Sequence, residues 1–208
     1  MTAPQHLTLE QKGFLDLCTI GTWNMNPETG LIDVKGDFNC SYRGLKSLNG
    51  IRLGHVSVVF YCWDNMLTSL EGAPKSVGLS FYCEVNQLVS LVGAPKTVGG
   101  NFYCSDNKLT SLKGAPEQIK GEFLCDSFKL VAGEWNPGGW LKAAQKSDEA
   151  AKLLVPLISE DELDNWMRKH PLDLDLLDEF PEIKRGVLKR TGLRDISKLA
   201  AARRQGLV

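Results

Sequence analysis

The sequence predicts an α/β repeat: a solenoid of short coils whose strands stack into a parallel sheet. The expected divisions are a cap at 1–36, five coils at 37–135 and a short-helix segment at 136–208. Three observations lead there. Five of the six cysteines stand at 40, 62, 83, 104 and 125, in steps of 22, 21, 21 and 21 residues. The residues around them repeat as well. After Val131 the repeat stops and helix signals take over.

The three clearest copies read FYCWDNMLTSLEGAPKSVGLS from Phe60, FYCEVNQLVSLVGAPKTVGGN from Phe81 and FYCSDNKLTSLKGAPEQIKGE from Phe102. An atypical copy precedes them at Phe38, FNCSYRGLKSLNGI, with one inserted residue before Val56. A worn copy follows at Phe123, FLCDSFKLV. The unit is F-x-C-x-x-N-x-L-x-S-L-x-G-A-P-x-x-V-x-G-x.

Within one coil, Phe102 and Cys104 alternate with Tyr103 and Ser105, the period of a short strand. Asn107 follows where the chain must turn; asparagine tolerates turn conformations and bonds nearby backbone. Leu109, Leu112, Pro116 and Ile119 then recur at irregular spacing, which suits an extended or 3₁₀ return path rather than a long helix. A lone coil of this size cannot bury its own apolar face, whereas three or more stacked coils can. Stacking places Asn65, Asn86 and Asn107 in a ladder that ends at Arg43 on one side and Phe128 on the other.

The unit resembles the leucine-rich repeat, with Phe and Cys at the two strand leucine positions. The resemblance is closer to the leucine-rich repeat proteins encoded by tailed bacteriophages. It rests on GTWNMNPETGLIDVKGDFNCS, on the coils of the form FYC…NxLTSLEGAPKSVG, and over 8–131 generally. The tail segment PLDLDLLDEFPEIKRGVLKRTG is similar to C-terminal segments of such proteins. The resemblance implies a capping helix from Thr8 to Cys18, a β-like cap from Gly21 to Gly36, and a protein-binding role without a reaction.

Beyond the coils, AGEWNPGGW suits a terminal lid. Ser147 can cap a helix running to about Pro156. Ser159 to Glu162 forms a capping box before a helix stopped by Pro171. Pro181 opens the next helix, with Gly192 past its end, and a last helix covers about Asp195 to Arg204. Charge is polarised here. Residues 160–182 carry nine acids and two bases, and residues 184–208 carry eight bases and one acid. Such blocks most simply attract each other or solvate opposite helix faces. The alternative is a basic site of Lys189, Arg190, Arg194, Lys198, Arg203 and Arg204 for nucleic acid or an acidic partner.

Composition narrows the function classes. The 208 residues are 43% hydrophobic and 24% charged with a net charge of −1, an ordinary globular balance without an overall basic character. No apolar run approaches the roughly 20 residues of a membrane helix. The opening MTAPQHLTLEQKGF lacks a signal-peptide pattern, so the expected location is cytoplasmic, or a virion if the chain is viral.

Each ladder cysteine follows a phenylalanine by two and so points inward, where a free thiol behaves as a small hydrophobe. None has a Cys or His within four residues, unlike tight zinc pairs. His6, His55 and His170 have no partner pattern. No P-loop, H-E-x-x-H or G-x-S-x-G motif occurs. The expectation is a non-enzyme with no cofactor and no metal.

The outward strand positions are more informative. Tyr61, Tyr82 and Tyr103 stack one above another with Leu124 next, and Trp63, Glu84, Ser105 and Asp126 form the adjacent column. Tyrosine favours strands and stacks across them, which alone accounts for part of the pattern. Tyr and Trp are also enriched at binding hot spots, so the columns read equally as a contact stripe. These residues are the candidate site: a concave sheet face that binds a protein partner, with an apolar end at Trp63 and an acidic end at Asp126.

Overall fold

The computed structural model describes residues 6–126, 128–136, 139, 140, 143, 153 and 154. The chain divides into two compact units, Met1–Trp135 and Asn136–Val208.

The first unit opens with helix α1 (Leu9–Cys18). Thr8 and Gln11 form a reciprocal capping box: the Gln11 N–H donates to Thr8 Oγ1 and the Thr8 N–H to Gln11 Oε1, both at 3.1 Å. Leu15 and Cys18 are buried, and the Phe14 ring meets Phe38 edge-on at 6.0 Å. Through these residues α1 packs against the first coil.

Strands β1 (Thr19–Met25) and β2 (Ile32–Asn39) form an antiparallel hairpin over 19–39. β2 is the corner of the fold. Its first half pairs with β3 (Leu53–Val56) and its second half with β4 (Phe60–Tyr61), both in parallel. Gly21 and Gly36 are register partners with φ of 135° and 128°. A Cβ on Gly21 would strike the Lys35 carbonyl, and one on Gly36 the Ile20 carbonyl. Only glycine lets the hairpin bend there.

Each later coil adds one short strand to each half. β5 (Ser76–Val77), β7 (Thr97–Val98) and β9 (Gln118–Ile119) follow β3. β6 (Phe81–Tyr82), β8 (Phe102–Tyr103) and β10 (Phe123–Cys125) follow β4. The result is a parallel β-solenoid of about four turns. Its two sheets share β2; the first continues through β4, β6, β8 and β10, the second through β3, β5, β7 and β9, and each has five parallel rungs counting β2. The return path is therefore extended, as expected, but it also pairs into a second sheet, which the repeat spacing did not reveal.

The expected fifth coil is incomplete. After Cys125 the chain reverses, and β11 (Phe128–Leu130) pairs antiparallel with β10. Phe128 stands where the complete coils have asparagine; its ring stacks on Phe123 at 5.5 Å instead of bonding a neighbouring coil. Trp135 closes this end, stacked on Phe123 at 4.4 Å, while its Nε1–H donates to the Pro116 carbonyl at 2.8 Å.

Between the lids, Phe38, Phe60, Phe81, Phe102 and Phe123 are fully buried and stacked at 5.0–5.5 Å. That is close to the strand spacing, so identical residues in register fill the core without gaps. All six cysteines are free and buried. Cys40, Cys83 and Cys104 each donate their thiol to the carbonyl of the outward residue in the next coil at 3.4 Å. Burial pushes the Cys62, Cys83 and Cys104 thiols well above their ordinary range, which leaves them without thiolate character.

The asparagine ladder forms. Asn86 Nδ2 donates to the carbonyls of Cys62, Cys83 and Glu84, and its Oδ1 accepts from the Leu67 N–H at 2.9 Å. Asn65 and Asn107 make the same kinds of bond one coil away. Each asparagine thus fastens its coil to the one before it.

In the second unit Gly139, Trp140, Ala143, Leu153 and Leu154 are helical, and Ala143, Leu153 and Leu154 are buried. The helices expected between Ser159 and Arg204, the two charged blocks and the basic set from Lys189 to Arg204 lie outside the described residues. Among the described residues, no helix is long and apolar enough to cross a membrane.

Candidate partner-binding face

The strands of the first sheet are two or three residues long, and alternation divides them cleanly. Phe and Cys point into the core; the residues between and beside them point out. Tyr61, Tyr82, Tyr103 and Leu124 stand in one half-buried outward column. The Tyr61 and Tyr82 rings stack at 5.1 Å and 7°. Tyr103 turns edge-on to Tyr82, at 5.2 Å and 79°.

The turn of Tyr103 has a local cause. Its hydroxyl donates to Glu122 Oε2 at 2.9 Å and accepts from Asn101 Nδ2 at 3.1 Å. Burial together with the Glu122 carboxylate pushes the phenol up to about 12. Glu122 also pairs with Lys129 Nζ at 2.8 Å; Lys129 and the Tyr103 hydroxyl together hold its carboxyl below the usual range. This corner of the face is self-satisfied, whereas the Tyr61–Tyr82 end is open stacking.

The second column holds Trp63, Glu84 and Ser105, all half-buried, and exposed Asp126. Asp126 Oδ1 accepts from the Asp106 N–H and so supports the turn of the coil before it. Glu84 is the electrostatic outlier. Its Oε2 is shielded from solvent and has no hydrogen-bond partner among the described residues. Burial, reinforced by Asp106, pushes its carboxyl up to about 7.

Repeat spacing did not single out the residues just beyond this column. Tyr42, Asp64, Val85 and Asp106 have φ of 57°, 52°, 52° and 55°, in the left-handed region, where each coil leaves the first sheet. Asp accepts that backbone better than most residues; β-branched Val85 does not. The turn holds these side chains at the rim of the face. Tyr42 is 64% exposed and meets Trp63 edge-on at 4.3 Å, extending the aromatic surface. The signal was in the sequence, since each of the four stands directly before the asparagine position, but the conformation of that residue is not coded by period.

All eight expected site residues therefore belong to one sheet face, and Tyr42 joins them. Among the described residues, no group of three or more His, Cys, Asp or Glu side chains is placed to hold a metal ion. Comparison with models of known protein families, with curated proteins and with solved structures finds no match.

Proposed function

We propose that the protein is a non-catalytic binding module that holds a protein partner on the outer face of the first sheet. One observation carries the reading: three tyrosines stacked outward over a core that is already filled by Phe and Cys. Stacking half-exposed aromatics preorganises contact area at little entropic cost, the arrangement that binding hot spots favour. Trp63 and Tyr42 widen the surface, and Glu84 and Asp126 add acidity. In this proposal the chain is of the phage-encoded leucine-rich repeat type, acting on a host component or within a virion. The resemblance of its repeats supports that placement.

The test is partner recovery from nuclease-treated lysate with the wild type and a Tyr61→Ala/Tyr82→Ala/Tyr103→Ala variant, folding being checked by circular dichroism. A protein recovered by the wild type and lost by the folded variant is the expected result. Equal recovery by both would remove the face from consideration. It would also turn attention to the alternative basic site, Lys189 to Arg204.

A further inference from the structure

The solenoid protects its sheet edges unequally. β9, the last strand of the second sheet, has two residues, and β11, the last of the first, has three with Lys129 at its centre. Shortness and an edge lysine are common guards against pairing with another chain. β1, at the other end, carries neither. It has seven residues, TIGTWNM, with no charge and no proline, and it pairs with β2 in unbroken register. Among the described residues no further strand pairs with it.

The backbone shows which groups this open edge presents. The Ile32 and Phe38 N–H groups donate to carbonyls of the next coil at 3.0 and 2.9 Å, and the Gly36 N–H to Ser57 Oγ at 2.9 Å. Alternation therefore turns the odd residues of β2 toward β1. Their register partners, Ile20, Thr22 and Asn24, commit their backbone groups to β2. Gly21, Trp23 and Met25 present theirs on the other side. Thr19 presents its carbonyl there, its N–H being bonded to the Leu15 carbonyl of α1.

The sequence of the edge is self-complementary. An antiparallel pairing with a second copy about a two-fold axis at Thr22 sets Thr22 against Thr22, Gly21 against Trp23, Ile20 against Asn24 and Thr19 against Met25. Gly21 and Trp23 then exchange both backbone bonds on each side of the axis. The Trp23 indole, whose Nε1–H donates to Asp16 Oδ1 at 2.8 Å, meets a residue without a side chain, and threonine meets threonine. Leu17 and Ile20, 64% and 62% exposed, add apolar area where the strand begins. Lys35 sits beside Thr22, three strand spacings or about 14 Å from its counterpart, beyond the screening length at physiological salt. A foreign strand could make the hydrogen bonds, but a second copy also supplies this matched set of pairs.

We propose that β1 joins β1 of a second copy in an antiparallel two-fold pair centred on Thr22, making one continuous sheet through two solenoids. β2 separates β1 from the tyrosine-bearing strands, so the proposal stands independently of partner binding on that face.

Sedimentation velocity of the full-length protein at micromolar concentration should show a species of twice the 23.0 kDa chain mass. Thr22 is exposed, so Thr22→Lys leaves the core untouched while setting like charges against each other at the axis. It should weaken dimerisation at least about tenfold, folding being checked by circular dichroism. Mixing it with Thr22→Glu should restore the dimer. Thr22→Cys reads the register: facing residues of a non-hydrogen-bonded pair have Cα atoms about 4.5 Å apart, within reach of a disulfide. Diamide should cross-link Thr22→Cys into a covalent dimer but not Asn24→Cys, whose counterparts would stand about 14 Å apart along the strands.

The proposal falls if the wild type stays monomeric, or if folded Thr22→Lys dimerises as well as the wild type or is not rescued by Thr22→Glu. It falls equally if Thr22→Cys does not cross-link, or if Asn24→Cys cross-links in its place.

Discussion

The two sheets of the solenoid are a natural controlled pair. Both are parallel, both are built mainly from two-residue strands, and both turn one residue of each strand inward. The second sheet buries Val56, Val77, Val98 and Ile119 and turns His55, Ser76, Thr97 and Gln118 outward. The first buries phenylalanine and turns out tyrosine. A sheet of this solenoid therefore forms without outward aromatics. Strand propensity and cross-strand stacking act equally on both, so they do not by themselves explain why only one carries a Tyr stack. That asymmetry is the main physical support for assigning partner binding to the first face.

The sheets also differ in how the chain leaves them, and this sets the largest expected effect. The first is left through a left-handed residue and a buried asparagine that satisfies three carbonyls. The second is left through backbone bonds, such as the Gly99 N–H to the Val77 carbonyl at 3.0 Å, and single side-chain bonds, such as the Asn101 N–H to Ser80 Oγ at 3.0 Å, with no buried asparagine among the described residues there. Asn86→Ala should strand several buried backbone groups and cost about 3 kcal/mol. Ser76→Ala on the second sheet should cost less than about 0.5 kcal/mol. Urea unfolding of the two variants measures the contrast; equal losses would show that the asparagine ladder is not what holds the coils together.

Glu84 gives the next effect. Its ordinary value is 4.5 and its folded value is about 7, so the folded protein holds the proton more tightly. The stability linked to this proton is fully present below the ordinary value. It is lost as pH rises through about 7. Glu84→Gln should therefore gain on the order of 2 kcal/mol over wild type at pH 8 and nothing near pH 4. Thermal melts of both proteins across that range check it. Parallel pH profiles would mean that the Glu84 carboxyl is solvated in the folded protein.

The smallest effect belongs to Val85, a β-branched residue at φ 52°. Its counterparts in the neighbouring coils are Asp64 and Asp106. Val85→Asn should relieve the backbone and stabilise the protein by about 1 kcal/mol, raising Tm by roughly 4 °C. A lowered Tm would mean that the 41% exposed valine contributes more through packing than it costs in backbone strain.

Much of the architecture could be read from residue positions because a repeat multiplies a weak signal. One Phe-x-Cys says little; five in step say that these side chains share a column. Asn65, Asn86 and Asn107 were legible for the same reason, and Thr8 and Gln11 because a capping box is local chemistry. The second sheet was not legible. Ser76–Val77, Thr97–Val98 and Gln118–Ile119 are too short for alternation to register, and they become strands only because identical coils lie beside them. The reversal after Cys125 was hidden too, since Phe128 and Leu130 suit either a failing coil or an added strand.

By itself, then, the sequence determined the coil length, the inward and outward columns and the ladder residues. These depend on a period, and period is a property of the chain alone. Tertiary structure decided that β2 joins two sheets, that Val85 adopts a left-handed turn, that burial pushes the Glu84 carboxyl up to about 7 and that Tyr42 meets Trp63. Each of these depends on what a neighbouring coil places beside the residue, and burial and pairing exist only once the coils are stacked.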